Sequence, residues 1–133
     1  MTTAYIAMPA SLTAERAIDR LRELEPDAET IYYLYVVDAD GRLIGVLSLR
    51  DLIVARPDAR VGDFMHPEPV AVGTLTDQEE VAQVVARYNL LAVPVVDDEG
   101  RIVGIVTVDD AIDSVLPTAW KRRLPKVFTR SGA

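Results

Sequence analysis

The sequence predicts a mixed α/β (α+β) fold built from two similar units, each a small three-stranded sheet packed with two helices. Three observations lead to this prediction. The stretch "GRLIGVLSLRDLI" at 41–53 returns as "GRIVGIVTVDDAI" at 100–112. Each copy follows a segment with helical periodicity and a run rich in β-branched and aromatic residues. Half of the 133 residues are hydrophobic and 26% are charged, a composition that favours a folded core over disorder.

The repeat is exact enough to define a structural unit. When 36–53 is shifted by 59 positions onto 95–112, eight residues find identical partners: Val36, Val37, Asp38, Gly41, Arg42, Gly45, Asp51 and Ile53. An α-β-β-α unit of this size covers only one face of its sheet, so two units together can bury both faces. We therefore expect a first repeat at 1–56, a second at 57–116 and a separate tail at 117–133.

Each unit begins with an amphipathic helix. Thr13 is predicted to cap the first helix, and Thr76 with Glu79 has the pattern of a capping box for the second. The apolar residues of each helix recur at the spacing of one helical face. They are Ala14, Ala17, Ile18, Leu21 and Leu24 in the first copy, and Val81, Val84, Val85 and Tyr88 in the second.

The strands and turns follow in the same order in both copies. The predicted strands are 31–37 and 43–47 in the first copy, and 92–96 and 102–106 in the second. The turns "DADG" and "DDEG" between them place a glycine where a hairpin needs positive φ. Short helices are predicted at about 49–55 and 108–115, and short extended pieces at 5–8 and 69–72. The first copy has five extra residues between helix and strand, and 55–65 is predicted to connect the copies.

A polar motif stands at each strand-to-helix turn. Ser48 and Asp51 in the first copy correspond to Thr107 and Asp110 in the second. A hydroxyl there can cap the short helix, and a carboxylate in the first turn suits the helix dipole. The same groups can instead hold a nucleotide, since a carboxylate accepts two hydrogen bonds from a ribose diol. Both interpretations stay open at this point.

The doubled pattern G-h-h-[S/T]-x-x-D after a VVD-x-x-G-R hairpin resembles the CBS domain pair, or Bateman module, over residues 1–116. The resemblance implies tandem CBS repeats related by pseudo-two-fold symmetry. It also implies that Ser48 and Asp51 in one site, and Thr107 and Asp110 in the other, hold the ribose and phosphates of an adenine nucleotide such as ATP or AMP.

Residues 26–61 and 76–113 are similar to the cytosolic CBS pair of MgtE-type magnesium channels. That resemblance implies dimerisation through the CBS pair, Mg²⁺ sensing and ATP binding. It implies that Tyr33 flanks the adenine, that Arg50 meets phosphate and that Asp51 holds the ribose. Asn89 and Leu90 replace an acidic and an aromatic residue expected near the same cleft.

The two motifs differ at one charged position. Arg50 in the first copy corresponds to Asp109 in the second, and a guanidinium favours a polyphosphate where paired carboxylates repel one. We therefore expect the first-copy site to take the nucleotide. Asp109, Asp110 and Asp113 form a carboxylate cluster that could bind Mg²⁺, and the alternative is a solvated acidic helix face.

Charge is distributed unevenly along the chain. The first 116 residues contain all 21 acidic residues, whereas 117–133 contain five basic ones and no acid. Such an acidic body argues against a nucleic-acid partner. The basic tail, with Trp120 and Phe128, could contact a membrane surface or an acidic partner, or fold back on the body. The absence of cysteine and of a long apolar run favours a cytoplasmic location.

No set of residues typical of an enzyme appears. The single histidine, His66, is interpreted as a loop residue, and there is no P-loop. The sequence therefore predicts a non-catalytic regulatory module that binds an adenine nucleotide or Mg²⁺ and dimerises, as the cytosolic sensor of an MgtE-like transport protein with a transmembrane domain as partner. The alternative is a stand-alone CBS protein that serves as a structural dimerisation module with decayed ligand sites.

Overall fold

The computed structural model describes residues 3–24 and 33–108, and these contain seven strands and four helices. In chain order the elements are β1 (Ile6–Pro9), α1 (Ala14–Leu24), β2 (Tyr33–Val37), β3 (Leu43–Ser48), α2 (Leu49–Val54), α3 (Val61–Phe64), β4 (His66–Pro67), β5 (Val72–Gly73), α4 (Gln78–Arg87), β6 (Ala92–Val96) and β7 (Ile102–Thr107). Apart from Val108, the helix predicted at 108–115 lies outside the described residues, as do the cluster Asp109, Asp110 and Asp113 and the basic tail at 117–133.

The strands form two sheets with the same internal arrangement. The first sheet has the order β1-β2-β3-β4 and the second β5-β6-β7. In both, the leading strand runs parallel to its neighbour and the next pair is antiparallel. The antiparallel registers coincide after the shift of 59, because Tyr33 lies opposite Ser48 and Ala92 lies opposite Thr107. The predicted mixed α/β fold with tandem repeats is confirmed.

The first sheet has one strand more than predicted. β4 pairs antiparallel with β3, with Pro67 opposite Gly45 and His66 opposite Val46. A Cβ atom on Gly45 would overlap the side chain of Met65, so the glycine allows this segment to approach β3 closely. The connection predicted at 55–65 also contains the short helix α3. Three strands are therefore correct for the second sheet and wrong for the first.

The spacing between strands locates the extra residues of the first copy. Met8 pairs with Val36, 28 positions along the chain, whereas Val72 pairs with Val95, 23 positions along. The difference of five residues agrees with the insertion predicted from the sequence.

The hairpin turns are built in the same way. Gly41 has φ of 85° and Gly100 has φ of 83°, so both use the left-handed conformation that glycine adopts at no steric cost. In each turn an aspartate carboxylate accepts hydrogen bonds of 2.9 Å from two backbone N–H groups, which belong to the residues two and four positions later. These aspartates are Asp38 and Asp97.

The helix α4 begins differently from the prediction. Its N-cap is Asp77, whose carboxylate accepts a 2.8 Å hydrogen bond from the Glu80 nitrogen. The hydroxyl of Thr76 accepts instead from the nitrogen of Gly73, at 3.0 Å, in the turn after β5. The capping box of Thr76 and Glu79 is therefore wrong. For α1, by contrast, the Thr13 hydroxyl accepts from the Arg16 nitrogen as predicted.

Each sheet has its own apolar core. Helices α1 and α2 pack on the first sheet, and Ala14, Ala17 and Leu21 of the predicted apolar face are buried while Leu24, at the helix end, is exposed. Helix α4 packs on the second sheet through Val81 and Val85. A third cluster joins the two sheets, and its buried members are Tyr35, Ala92, Ile102 and Ile105.

Backbone hydrogen bonds also link the two hairpins. The Leu43 nitrogen donates to the Gly100 oxygen at 2.9 Å, and the Ile102 nitrogen donates to the Gly41 oxygen at 3.3 Å. When each residue is replaced by its counterpart in the other copy, 59 positions away, one bond becomes the other. The two bonds are therefore related by the predicted pseudo-two-fold symmetry. None of the helices in residues 3–24 and 33–108 has the length and apolar composition required to cross a membrane.

Candidate functional site

The first-copy motif lies where β3 passes into α2. Ser48 is the last residue of β3 and the N-cap of α2, and Tyr33 lies directly opposite it on β2. Asp51 is in the first turn of α2. The strand register and the strand-to-helix turn therefore bring Tyr33, Ser48 and Asp51 together, as expected from the sequence.

Ser48 and Asp51 form a reciprocal capping box. The Ser48 hydroxyl oxygen accepts a 3.1 Å hydrogen bond from the Asp51 nitrogen, and Oδ2 of Asp51 accepts a 3.0 Å bond from the Ser48 nitrogen. The motif thus has the capping role considered for it. This role leaves the hydroxyl hydrogen of Ser48 and Oδ1 of Asp51 for other contacts.

His66 completes this group of polar side chains. Its Nε2 atom lies 3.1 Å from Oδ2 of Asp51, and its side chain is 69% exposed. Interpreting His66 as a loop residue was wrong, because it is the first residue of β4. His66 and Asp51 are 15 positions apart and meet only because β4 pairs with β3. No local sequence pattern predicts this contact.

The hydrogen bonds lower the pKa of the Asp51 carboxyl group. The backbone N–H of Ser48 has the largest effect, partial burial opposes it, and the Ser48 hydroxyl and His66 lower the pKa further. The site therefore holds Asp51 as a carboxylate at neutral pH.

A cavity of about 230 Å³ opens beside these residues, between the two sheets. Its wall is mostly apolar and aromatic. The lining residues are Tyr33, Tyr35, Val46, His66, Pro67, Glu68, Pro69, Val70, Leu90, Ala92 and Pro94. The cavity is smaller than the roughly 300–1,000 Å³ of sites that enclose drug-sized ligands, so it suits a flat ring rather than a whole nucleotide.

Two tyrosines form the aromatic side of this cavity. The ring centroids of Tyr33 and Tyr35 are 6.5 Å apart, with planes inclined at 59°. The Tyr33 hydroxyl accepts a 3.2 Å hydrogen bond from the Leu91 nitrogen in the second copy. Tyr35 is fully buried, and its hydroxyl has no hydrogen-bond partner among the residues the structure describes. Burial raises the pKa of Tyr35 far above its usual value.

Other residues that the sequence analysis named near the nucleotide lie outside this group of hydrogen-bonded side chains. Arg50 is exposed in the first turn of α2. Thr107 is fully buried, and Ala92 stands opposite it where the first copy has Tyr33. Leu90 lines the cavity. Their roles toward a nucleotide stay predictions.

The metal site predicted from the sequence cannot be located in this geometry. Asp109, Asp110 and Asp113 lie outside the described residues, so the roles given to them stay predictions. Within 3–24 and 33–108, no group of three or more histidine, aspartate or glutamate side chains is arranged to hold a metal ion.

Comparison with known proteins gives the site its context. The model of the CBS domain family matches residues 1–58 and 61–117. The magnesium transporter MgtE of Thermus thermophilus is 59% identical over 113 residues, which are 85% of this chain and 25% of that protein. The magnesium transporter MgtE of Bacillus subtilis is 44% identical over 119 residues, 90% of this chain and 26% of the transporter. The chain thus spans about a quarter of the length of these curated relatives.

Solved structures agree with this relationship. The cytosolic domain of the Mg²⁺ channel MgtE in complex with ATP superposes with a TM-score of 0.83 at 58% identity, over 86% of this chain and 46% of that one. The soluble part of a magnesium transporter gives a TM-score of 0.81 at 44% identity, over 85% of this chain and 44% of that one.

Proposed function

Because the chain belongs to the CBS domain family, we propose that it is a non-catalytic regulatory module that binds one adenine nucleotide beside the cavity between its two sheets. One observation carries the proposal. Tyr33 lines an aromatic cavity and lies opposite Ser48 on the neighbouring strand, and Ser48 in turn bonds to Asp51. A structure 58% identical to this chain is a complex with ATP.

The cavity suits the base, and the polar junction suits the rest of the ligand. Its volume of about 230 Å³ and its tyrosine wall favour a flat heterocycle next to Tyr33. The ionised carboxylate of Asp51 accepts hydrogen bonds from ribose hydroxyls, and the Ser48 hydroxyl can donate one. Arg50, exposed on the same turn of α2, is the group we assign to the phosphates.

We propose that each chain binds one nucleotide. In the second copy Ala92 replaces the aromatic ring of Tyr33, and the Thr107 side chain is fully buried. Both differences remove features on which the first site depends. Thr107 and Asp110 are therefore assigned to a weaker second site.

We further propose that the module is part of an MgtE-like magnesium transport protein and works on the cytosolic side of the membrane with a transport domain as partner. The support is the similarity to MgtE proteins, of which this chain spans a quarter. Mg²⁺ would reach the module with the nucleotide phosphates or at Asp109, Asp110 and Asp113.

A homodimer is the expected assembly. Ile53 and Val54, consecutive residues at the end of α2, are 65% and 74% exposed. Exposed aliphatic side chains grouped in this way favour contact with another protein surface. The resemblance to MgtE-type CBS pairs makes a second copy of the chain the partner we propose.

Calorimetric titration with ATP, AMP and adenosine, each with and without Mg²⁺, tests the nucleotide function. We expect saturable binding near one ligand per chain, its loss in Asp51→Ala, and its retention in Asp58→Ala, a matched change at an exposed residue. Heat from Mg²⁺ alone would indicate a cation sensor instead. No heat in any titration would overturn the proposal in favour of a stand-alone structural dimerisation module.

A further inference from the structure

The two oxygens of the Asp51 carboxylate are not equivalent. Oδ2 accepts from the Ser48 nitrogen at 3.0 Å and lies 3.1 Å from Nε2 of His66. Opposite a carboxylate with a lowered pKa, the imidazole nitrogen is the donor of this bond. A carboxylate oxygen has about two lone-pair sites, so Oδ2 is fully used, while Oδ1 accepts no hydrogen bond from the described residues.

The position of His66 is set by the fold rather than by the motif. Its backbone pairs with Val46 through β4, and its side chain lines the cavity assigned to the base. The imidazole therefore stands between the cavity and Asp51. Any ligand that reaches Asp51 meets a carboxylate whose Oδ2 already has two hydrogen-bond partners.

We propose that His66 is a positioning residue that occupies Oδ2 of Asp51 with a hydrogen bond. The site then binds one ribose hydroxyl through Oδ1 and does not accept hydrogen bonds from the 2′- and 3′-hydroxyls with both carboxylate oxygens. The inference rests on the proposed nucleotide function and specifies how the ribose is recognised. It makes His66 a determinant of specificity between ribose and deoxyribose ligands.

The two modes of binding differ in how many ribose hydroxyls contribute to the affinity. If both oxygens accept, removing either the 2′- or the 3′-hydroxyl leaves one carboxylate oxygen without its donor and weakens binding. If only Oδ1 accepts, one of the two hydroxyls is dispensable. Replacing His66 by a residue without a donor frees Oδ2 and makes the second hydroxyl contribute.

The test compares ATP with 2′-deoxyATP and 3′-deoxyATP on the full chain and on His66→Ala. In the unaltered chain we expect one deoxy analogue to bind within about twofold of ATP and the other roughly tenfold or more weaker. In His66→Ala we expect both analogues to bind several-fold weaker than ATP, because Oδ2 then accepts a hydrogen bond from the second hydroxyl. Asp58→Ala, at an exposed position outside the motif, keeps the pattern of the unaltered chain.

The outcomes separate this inference from the function on which it rests. If both deoxy analogues bind weakly to the unaltered chain, or His66→Ala keeps the unaltered pattern, ATP still binds and only the role of His66 is overturned. If ATP itself gives no heat, the nucleotide function fails and the role of His66 fails with it. The comparison of analogues on the unaltered chain needs no variant, and the 69% exposure of the His66 side chain makes a folded His66→Ala protein the expectation.

Discussion

The hydroxyl of Tyr33, on β2 of the first sheet, accepts a 3.2 Å hydrogen bond from the backbone nitrogen of Leu91, which immediately precedes β6 of the second sheet. The same ring lines the cavity. The Leu91 oxygen in turn accepts from the Val108 nitrogen at 2.8 Å, just after β7. The ring assigned to the nucleotide base is therefore anchored by the opposite half of the protein.

Tyr33→Phe removes the hydroxyl that bonds to Leu91 but keeps the aromatic ring. We expect it to lower the free energy of unfolding by about 1 kcal/mol through loss of the bond to Leu91, while the ring remains beside the cavity and ATP binding is kept. Tyr33→Ala removes both and is expected to abolish ATP binding. Urea unfolding and calorimetry on the two variants check this, and equal ATP affinities for Phe and Ala would contradict the role of the ring.

Ser48→Ala removes the N-cap of α2. The Asp51 nitrogen then loses its acceptor, and we expect the free energy of unfolding to fall by about 1 kcal/mol. Ser11→Ala, at an exposed loop position, is the matched control and is expected to change it by less than about 0.5 kcal/mol. Urea denaturation measures both, and equal effects of the two changes would argue against the capping role.

The lowered pKa of Asp51 predicts a pH dependence of stability. Because its pKa in the folded protein lies below the ordinary aspartate value of 3.8, the folded state favours the carboxylate, and this contribution is fully present well above pH 3.8. It is lost as the pH falls through 3.8 toward the folded pKa. Asp51→Asn lacks this contribution, so thermal melts should show the stability gap to the unaltered chain narrowing as the pH falls. A gap that stays constant from neutral to acid pH would contradict the prediction.

Gly41→Ala and Gly100→Ala test the hairpin turns. No atom lies within 4 Å of a Cβ at either position, so the cost comes from the positive φ alone, and we expect each change to destabilise the protein by about 1–2 kcal/mol. Gly73→Ala is the control, since Gly73 has no positive φ and a Cβ there meets only the Thr76 hydroxyl at an ordinary 3.7 Å. The measurement is thermal unfolding. If Gly73→Ala lowered the stability as much as the other two changes, positive φ would not explain their effect.

Tyr35→Phe removes a buried hydroxyl that has no hydrogen-bond partner among the described residues. Burial of such a group costs about 1–3 kcal/mol, so we expect the phenylalanine variant to be more stable than the unaltered chain. The rest of the ring keeps its packing against the cluster that joins the sheets. A lower melting temperature for Tyr35→Phe would show that the hydroxyl makes a stabilising contact.

The repeated sequence made much of the fold predictable. Runs of β-branched and aromatic residues and the glycines of "DADG" and "DDEG" carry local signals, and the structure has strands and turns at those places. The two-residue strand β4 has no such signal, because it depends on a close approach to Gly45. The choice of Asp77 over Thr76 as cap is made by local contacts, since the Thr76 hydroxyl accepts from Gly73 in the preceding turn and Asp77 accepts from Glu80. The capping-box pattern alone does not distinguish these two adjacent candidates.

The site was predictable only in part for the same reason. Tyr33 and Ser48 meet through a hairpin register that the sequence implies, and Asp51 follows from the helical turn. His66 joins them through a tertiary contact, so spacing alone could not find it. The tyrosine anchor on Leu91 likewise depends on how the two sheets pack.

The reciprocal hydrogen bonds between the hairpins bear on how such a chain could arise. The bonds that join Gly41 and Leu43 to Gly100 and Ile102 are those of an isologous interface, in which one surface recognises its own duplicate. An ancestral gene encoding a single unit would thus have had the contacts to assemble in pairs before any tandem fusion. Fusion then releases the halves from sharing one sequence, so that equivalent positions can differ, as Tyr33 and Ala92 do.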